Sequence, residues 1–140
     1  MRAPVIAGTS GGGENFGWRM REGSEATVGG QVGGPAPEGA TEPAYDYVHV
    51  SLPGDVAFQG NSVIGGYLYR GPDPEARGKY LFADFSANKF WTFDPVDPYG
   101  TVANVTATLT SPDGPATYIS AFGEDPLGNL FVATINGEIY

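Results

Sequence analysis

The sequence predicts an all-β fold, and three observations carry that reading. Glycine (22) and proline (12) make up roughly a quarter of the 140 residues, a density of chain punctuation that leaves little room for long helices. No stretch holds an apolar period of 3.6 residues over three turns. A long run free of both breakers, TVANVTATLTS from Thr101, is β-branched and alternating. An apolar fraction of 41%, with 13% aromatics, supplies core material for one ordinary domain.

Taken in order, Gly11 to Gly23 reads GGGENFGWRMREG. It is not a P-loop, because no Gly-Lys-Ser/Thr follows, and a dinucleotide fingerprint would have to open a βαβ unit. As a turn it is coherent: Gly11 to Gly13 allow positive φ, and Phe16 and Trp18 are expected to anchor the next strand in the core. Residues 28–44, VGGQVGGPAPEGATEPA, form a Gly/Pro-rich loop. Ala44 to Val50 (AYDYVHV) alternates as a strand. So does Ser62 to Arg70 (SVIGGYLYR), where Gly65 and Gly66 mark a β-bulge or a close approach by a ligand or backbone. Gly71 to Gly78 (GPDPEARG) is a proline-punctuated turn.

Two strand–turn–strand units follow. Lys79 to Phe85 (KYLFADF) turns through SANK and returns as Phe90 to Phe93. Asn129 to Thr134 (NLFVAT) turns through ING and returns as Glu138 to Tyr140. Between them lie an expected strand over Thr101 to Thr110, an SPDG turn and a strand over Thr117 to Phe122. Gly78 and Gly128 stand 50 residues apart, and each opens the same pattern: a polar residue, three large apolar residues, Ala, a polar residue, then a turn with Asn88 or Asn136. A period of this length fits one propeller blade per repeat. The residues supply fewer than three such periods, so the expectation is a partial ring of about two to three blades, or a small sandwich that imitates one.

Charge and composition narrow the function. A net charge of −9 opposes nucleic acid and anionic membrane surfaces as partners. No apolar run is long enough for a transmembrane helix, and the apolar part of MRAPVIAGTSGGG is too short for a signal-peptide core. The absence of cysteine excludes disulfides, thiolate metal sites and a cysteine nucleophile.

The blocks GGGENFGWRMREG, SVIGGYLYRGPDPEARGKYLFADFSANKFWTFDP and ISAFGEDPLGNLFVATINGEIY resemble, in order, the C-terminal part of the soluble glucose/sorbosone dehydrogenase family. These are quinoprotein sugar dehydrogenases, with non-enzymatic relatives of the hedgehog-interacting type. The resemblance implies a six-bladed β-propeller with pyrroloquinoline quinone (PQQ) held through calcium, an aldose substrate, and a periplasmic or extracellular location. It also places the catalytic histidine and most cofactor contacts in an earlier blade. His49, the only histidine, sits in a different motif and takes no base role, so no catalytic residue is assigned and the chain alone is expected to be inactive.

Within the resemblance, Arg70 would complement the quinone carboxylates, or else be a surface arginine paired with Asp73 or Glu75. Asn15 and Trp18 would approach the cofactor mouth, or else serve turn and core packing. Asp84 should cap backbone N–H groups where its strand meets the turn. Glu124, Asp125 and Asn129 offer too few oxygens for calcium and read as an acidic turn, so no metal site is assigned. His49 has no second histidine with which to bind zinc. Asn104-Val-Thr fits a glycosylation pattern. Two functions follow: the end of a PQQ-dependent sugar dehydrogenase, or a non-catalytic binding module that self-associates or pairs with another chain through its open sheet edges.

Overall fold

A computed structural model describes residues 2–5, 13–28, 33–109, 111–112 and 114–140. Strands dominate and helix is almost absent, so the chain is all-β. It divides into two compact units, Met1–Asn61 and Ser62–Tyr140. Each is described by itself. The described strands close no barrel or ring.

The first unit contains β1 (Arg2–Val5), β2 (Arg21–Glu22), β3 (Glu25–Ala26), β4 (Tyr45–His49) and β5 (Gln59–Gly60). β2 and β3 form a short hairpin, while β4 lies between antiparallel β1 and parallel β5. β4 is held by its own burial: Tyr45, Asp46 and Tyr47 are all buried. The Asp46 carboxyl accepts from the Ser24 N–H at 2.7 Å, which satisfies a polar group that burial would otherwise penalise. Residues 33–44 hold neither strand nor helix. Residues 29–32 of the Gly/Pro-rich segment lie outside the described residues.

The second unit is built from two meanders. β6 (Val63–Leu68), β7 (Tyr80–Asp84), β8 (Lys89–Phe93) and β9 (Ala103–Asn104) form an antiparallel four-stranded sheet in chain order. β10 (Ile119–Glu124) and β11 (Leu130–Thr134) form the second sheet. Its third row is the return 138–140, where Val132 and Tyr140 exchange both backbone hydrogen bonds.

Alternation along β7 and β8 decides how the sheets pack. Register pairs Tyr80 with Phe93, Phe82 with Trp91, and Ala83 with Phe90. One face therefore carries Tyr80, Phe82, Trp91 and Phe93, whose rings stack at centroid distances of 5.2 Å (Tyr80–Phe93) and 5.3 Å (Phe82–Trp91). The other carries Leu81, Ala83 and Phe90, which pack with Ile119, Val132 and Phe122 of the second sheet. Both faces of the first sheet are buried, and β10 contacts β6.

The Gly65-Gly66 reading holds on both of its physical grounds. The β6–β7 register shifts between Ile64 and Tyr67, and a Cβ on Gly66 would overlap the Leu81 carbonyl. Tyr80 fills the gap, its hydroxyl accepting from the Gly66 N–H at 3.1 Å.

The strand expected over Thr101 to Thr110 is corrected. Pro98–Thr101 is a single helical turn, capped by Asp97, and only Ala103–Asn104 pairs with β8. The reason lies in local bonding by the Asn104 side chain and the Val105 carbonyl. The Asn104 Oδ1 accepts from the Thr106 N–H at 3.0 Å, and the Thr108 and Leu109 N–H groups turn back to the Val105 carbonyl. Local bonding of this kind competes with a ladder. Thr110 and Asp113 lie outside the described residues.

Candidate functional site

The hairpins β7–β8 and β11–return correspond in register. Asp84 lies opposite Lys89 and Thr134 opposite Glu138; Phe82 lies opposite Trp91 and Val132 opposite Tyr140. The rising strands are offset by 50 residues and the returning strands by 49, because the second turn is one residue shorter. Asn88 occupies the left-handed position of the first turn at φ 51°, and Gly137 that of the second at φ 87°. The equivalence of Asn88 with Asn136 suggested by the sequence is thus shifted by one residue. Asp84 caps as expected: fully buried, it accepts from Ser62 N–H and Ala87 N–H, both at 2.7 Å.

Arg70, just beyond β6, donates from one guanidinium nitrogen to both oxygens of Glu124 at the end of β10, at 2.9 and 2.7 Å. Its partner is neither Asp73 nor Glu75. This strap ties the C-terminal ends of the first strands of the two sheets, and the pairing of Arg70 with Glu124 is what sequence reasoning missed. The Asp125 carboxyl is fully used by its own turn, accepting from Leu127 N–H, Asn129 N–H and the Asn129 side-chain amide at 2.8–2.9 Å. The Asn129 amide, with those backbone donors, holds the Asp125 pKa below the usual value. Burial raises that of Tyr80, partly offset by the Gly66 N–H.

Asn15 and Trp18 belong to the first unit. The Asn15 Oδ1 accepts from Gly17 N–H at 2.9 Å, and its carbonyl accepts from Thr41 N–H at 2.7 Å, so it builds a turn. Gly13 takes the positive φ expected of it, 101°, while Gly11 and Gly12 lie outside the described residues. Trp18 as a core anchor is corrected: it is 78% exposed, because the chain turns at Gly17 and points the indole outward.

These positions do not make a site for the quinone or its calcium. The Arg70 guanidinium already has a carboxylate, Asn15 is spent on its loop, and Asp125 is spent on its turn. Among the described residues no group of three or more His, Asp or Glu side chains could hold a metal.

The concave feature of the second unit lies between its two sheets. A cavity of about 500 Å³ is walled by Leu81, Phe90, Val105, Leu109, Leu130 and Val132. Tyr69, Asp73, Lys79 and Asn129 give it a polar end, and Tyr140 borders it from the return strand. An apolar wall with a few polar groups at one end is the usual make-up of a pocket that takes an apolar group. The outer face of the second sheet is also apolar and open: Phe131 is 43% and Ile139 74% exposed.

The chain is 31% identical over 147 residues to the HIPL1 protein of Arabidopsis thaliana, a match that covers 89% of this chain and 21% of that protein. It is 29% identical over 149 residues to the HIPL2 protein of the same plant, with the same coverage. The chain therefore spans about a fifth of the length of these relatives. No protein-family profile matches it, and no solved structure does. These relatives overturn the sequence-based assignment: they are HIPL proteins, not glucose/sorbosone dehydrogenases or quinoproteins. The motif blocks are a likeness to HIPL proteins, and the oxidoreductase reading loses its support.

Proposed function

We propose that the chain is a non-catalytic binding module, part of a β-propeller, that acts in the periplasm or outside the cell and meets its partners through protein surfaces. The observation that carries this is the register equivalence of the two hairpins. The inner face of one meander packs on the next, and the equivalent face of the second sheet (Phe131, Ala133, Ile139) stays open to a further sheet. Serial packing of like sheets, each of up to four antiparallel strands, is propeller construction. The net charge of −9 favours a neutral or basic partner over a second copy.

The test is direct. The chain is mixed with PQQ, calcium and glucose, and reduction of an electron-accepting dye is followed. No glucose-dependent reduction is expected; turnover proportional to chain concentration would return the protein to the enzymes. The propeller part is tested by amide exchange: β7–β8 and β10–β11 should open in one cooperative step, and independent opening would contradict serial packing.

A further inference from the structure

Three Asp-Pro turns fall at one end of the second unit: Asp73-Pro74-Glu75, Asp94-Pro95-Val96 and Asp125-Pro126-Leu127. Each is built the same way. The aspartate Oδ1 accepts from the N–H two residues on, at 2.9, 2.8 and 2.8 Å respectively. Register brings the turns together. Leu68 lies opposite Tyr80 and Tyr80 opposite Phe93, so the chain leaves β6, enters β7 and leaves β8 at this end. The Arg70–Glu124 pair and the close fit of Gly128 against the Arg70 backbone bring the turn after β10 to the same end. Proline fixes φ and the aspartate bond closes each turn, so the tips are held before anything binds.

What these tips display is apolar and charged at once. Val96 is 93% and Leu127 76% exposed, and Tyr99, in the helical turn capped by Asp97, is exposed as well. The acids at this end are Asp73, Glu75, Asp94, Asp97, Glu124 and Asp125. Against these six stand three cations, Arg70, Arg77 and Lys79, which leaves a local net charge of −3. Arg70 is held by Glu124, and Arg77 donates to the Gly71 carbonyl. The opposite end of the same sheets differs: residues 85–88, 115–118 and 135–137 carry no charged side chain. Turns at strand ends also lie off the faces and edges through which one sheet adds to the next.

We infer that this end of the second unit is a docking surface for a basic partner protein, whose apolar residues pack on Val96 and Leu127 while its interspersed Lys or Arg side chains meet the carboxylates. Charge complementarity selects that occupant. An acidic rim repels nucleic acid, anionic membrane and a second copy of a chain of charge −9. Two apolar tips on rigid turns supply the dry centre that a charged rim alone lacks, and they leave little ordering for binding to impose. The inference deepens the binding-module reading and rests on it.

The experiment titrates the synthetic peptide KLKLKLK into the full chain and follows it by NMR. Saturable shifts centred on Val96, Tyr99 and Leu127 are expected, with Tyr118 and Asn136 at the opposite end unmoved. The peptide KSKSKSK, of equal charge, should bind at least tenfold more weakly. Val96→Ser combined with Leu127→Ser should weaken KLKLKLK at least tenfold at an unchanged urea midpoint, because both side chains already stand in water. Glu75 lends its turn only an N–H, so Glu75→Lys reverses a rim charge without opening the turn, and it should weaken KLKLKLK at least threefold.

Absence of binding at millimolar peptide overturns the proposal. So does equal binding of the two peptides, which reduces the surface to bulk charge attraction, and so do shifts that leave Val96 and Leu127 unmoved. A doubled sedimenting mass that the Val96→Ser, Leu127→Ser variant abolishes also overturns it, by assigning the surface to a second copy. None of these readouts depends on dye reduction with PQQ and glucose, so failure here is distinguishable from failure of the non-catalytic reading.

Discussion

Gly78 and Gly128 look alike in the sequence and adopt nearly the same backbone, φ 86° and 82°. Their surroundings differ. A Cβ on Gly78 meets nothing within 4 Å, whereas one on Gly128 would lie 2.6–2.8 Å from the Arg70 and Gly71 backbone. Gly78→Ala should therefore cost only the left-handed strain, about 1–2 kcal/mol. Gly128→Ala should add overpacking, for a total of about 3 kcal/mol or more, read from the urea midpoint. Asp125 gives a prediction in pH. Its pKa is lowered in the folded chain, so its contribution is complete above the unfolded value near ~4 and is lost as pH falls through the folded value. Urea midpoints should drop over that acidic window, and Asp125→Asn should flatten the drop; an unchanged slope would contradict the turn geometry.

At the scale of elements, the hairpins were legible and the connector was not. Tyr80–Asp84, Lys89–Phe93 and Leu130–Thr134 follow from alternating large apolar residues closed by short polar turns, since each strand buries one or both faces. Thr101–Thr110 failed because propensity counts β-branching, while Asn104 and Thr106 use their side chains to turn the chain and to cap the edge of β8. That cap is testable. Thr106→Val leaves the buried Phe90 N–H without its acceptor and should cost about 1–2 kcal/mol, with faster exchange at Phe90 and none at Trp91. Equal acceleration at both amides would instead mean loss of the whole edge. Of the candidate site residues, Arg70 was visible as a charge at a strand end. Its partner Glu124 was not, because a pair 54 residues apart depends on sheet packing.

For the whole molecule, the glycine and proline density and the lack of a helical period led to the right class, and the comparisons corrected the family. The 50-residue spacing was readable from Gly78 and Gly128, but the register of the return strands appears only when they are aligned one residue short, through Phe90 and Ile139. A dehydrogenase reading drew on motif blocks that describe turns and hairpins: Asn15, Asp84 and Asp125 all spend their side chains on backbone N–H groups. Motifs whose side chains serve the fold carry little chemistry of their own.

The most direct measurement of the central claim, that one hairpin is built twice, is amide exchange of the free chain at neutral pH. Val132, Thr134 and Tyr140 should be as protected as their counterparts Phe82, Asp84 and Trp91. Loss of protection at Val132, Thr134 and Tyr140 while Phe82, Asp84 and Trp91 stay protected would contradict it.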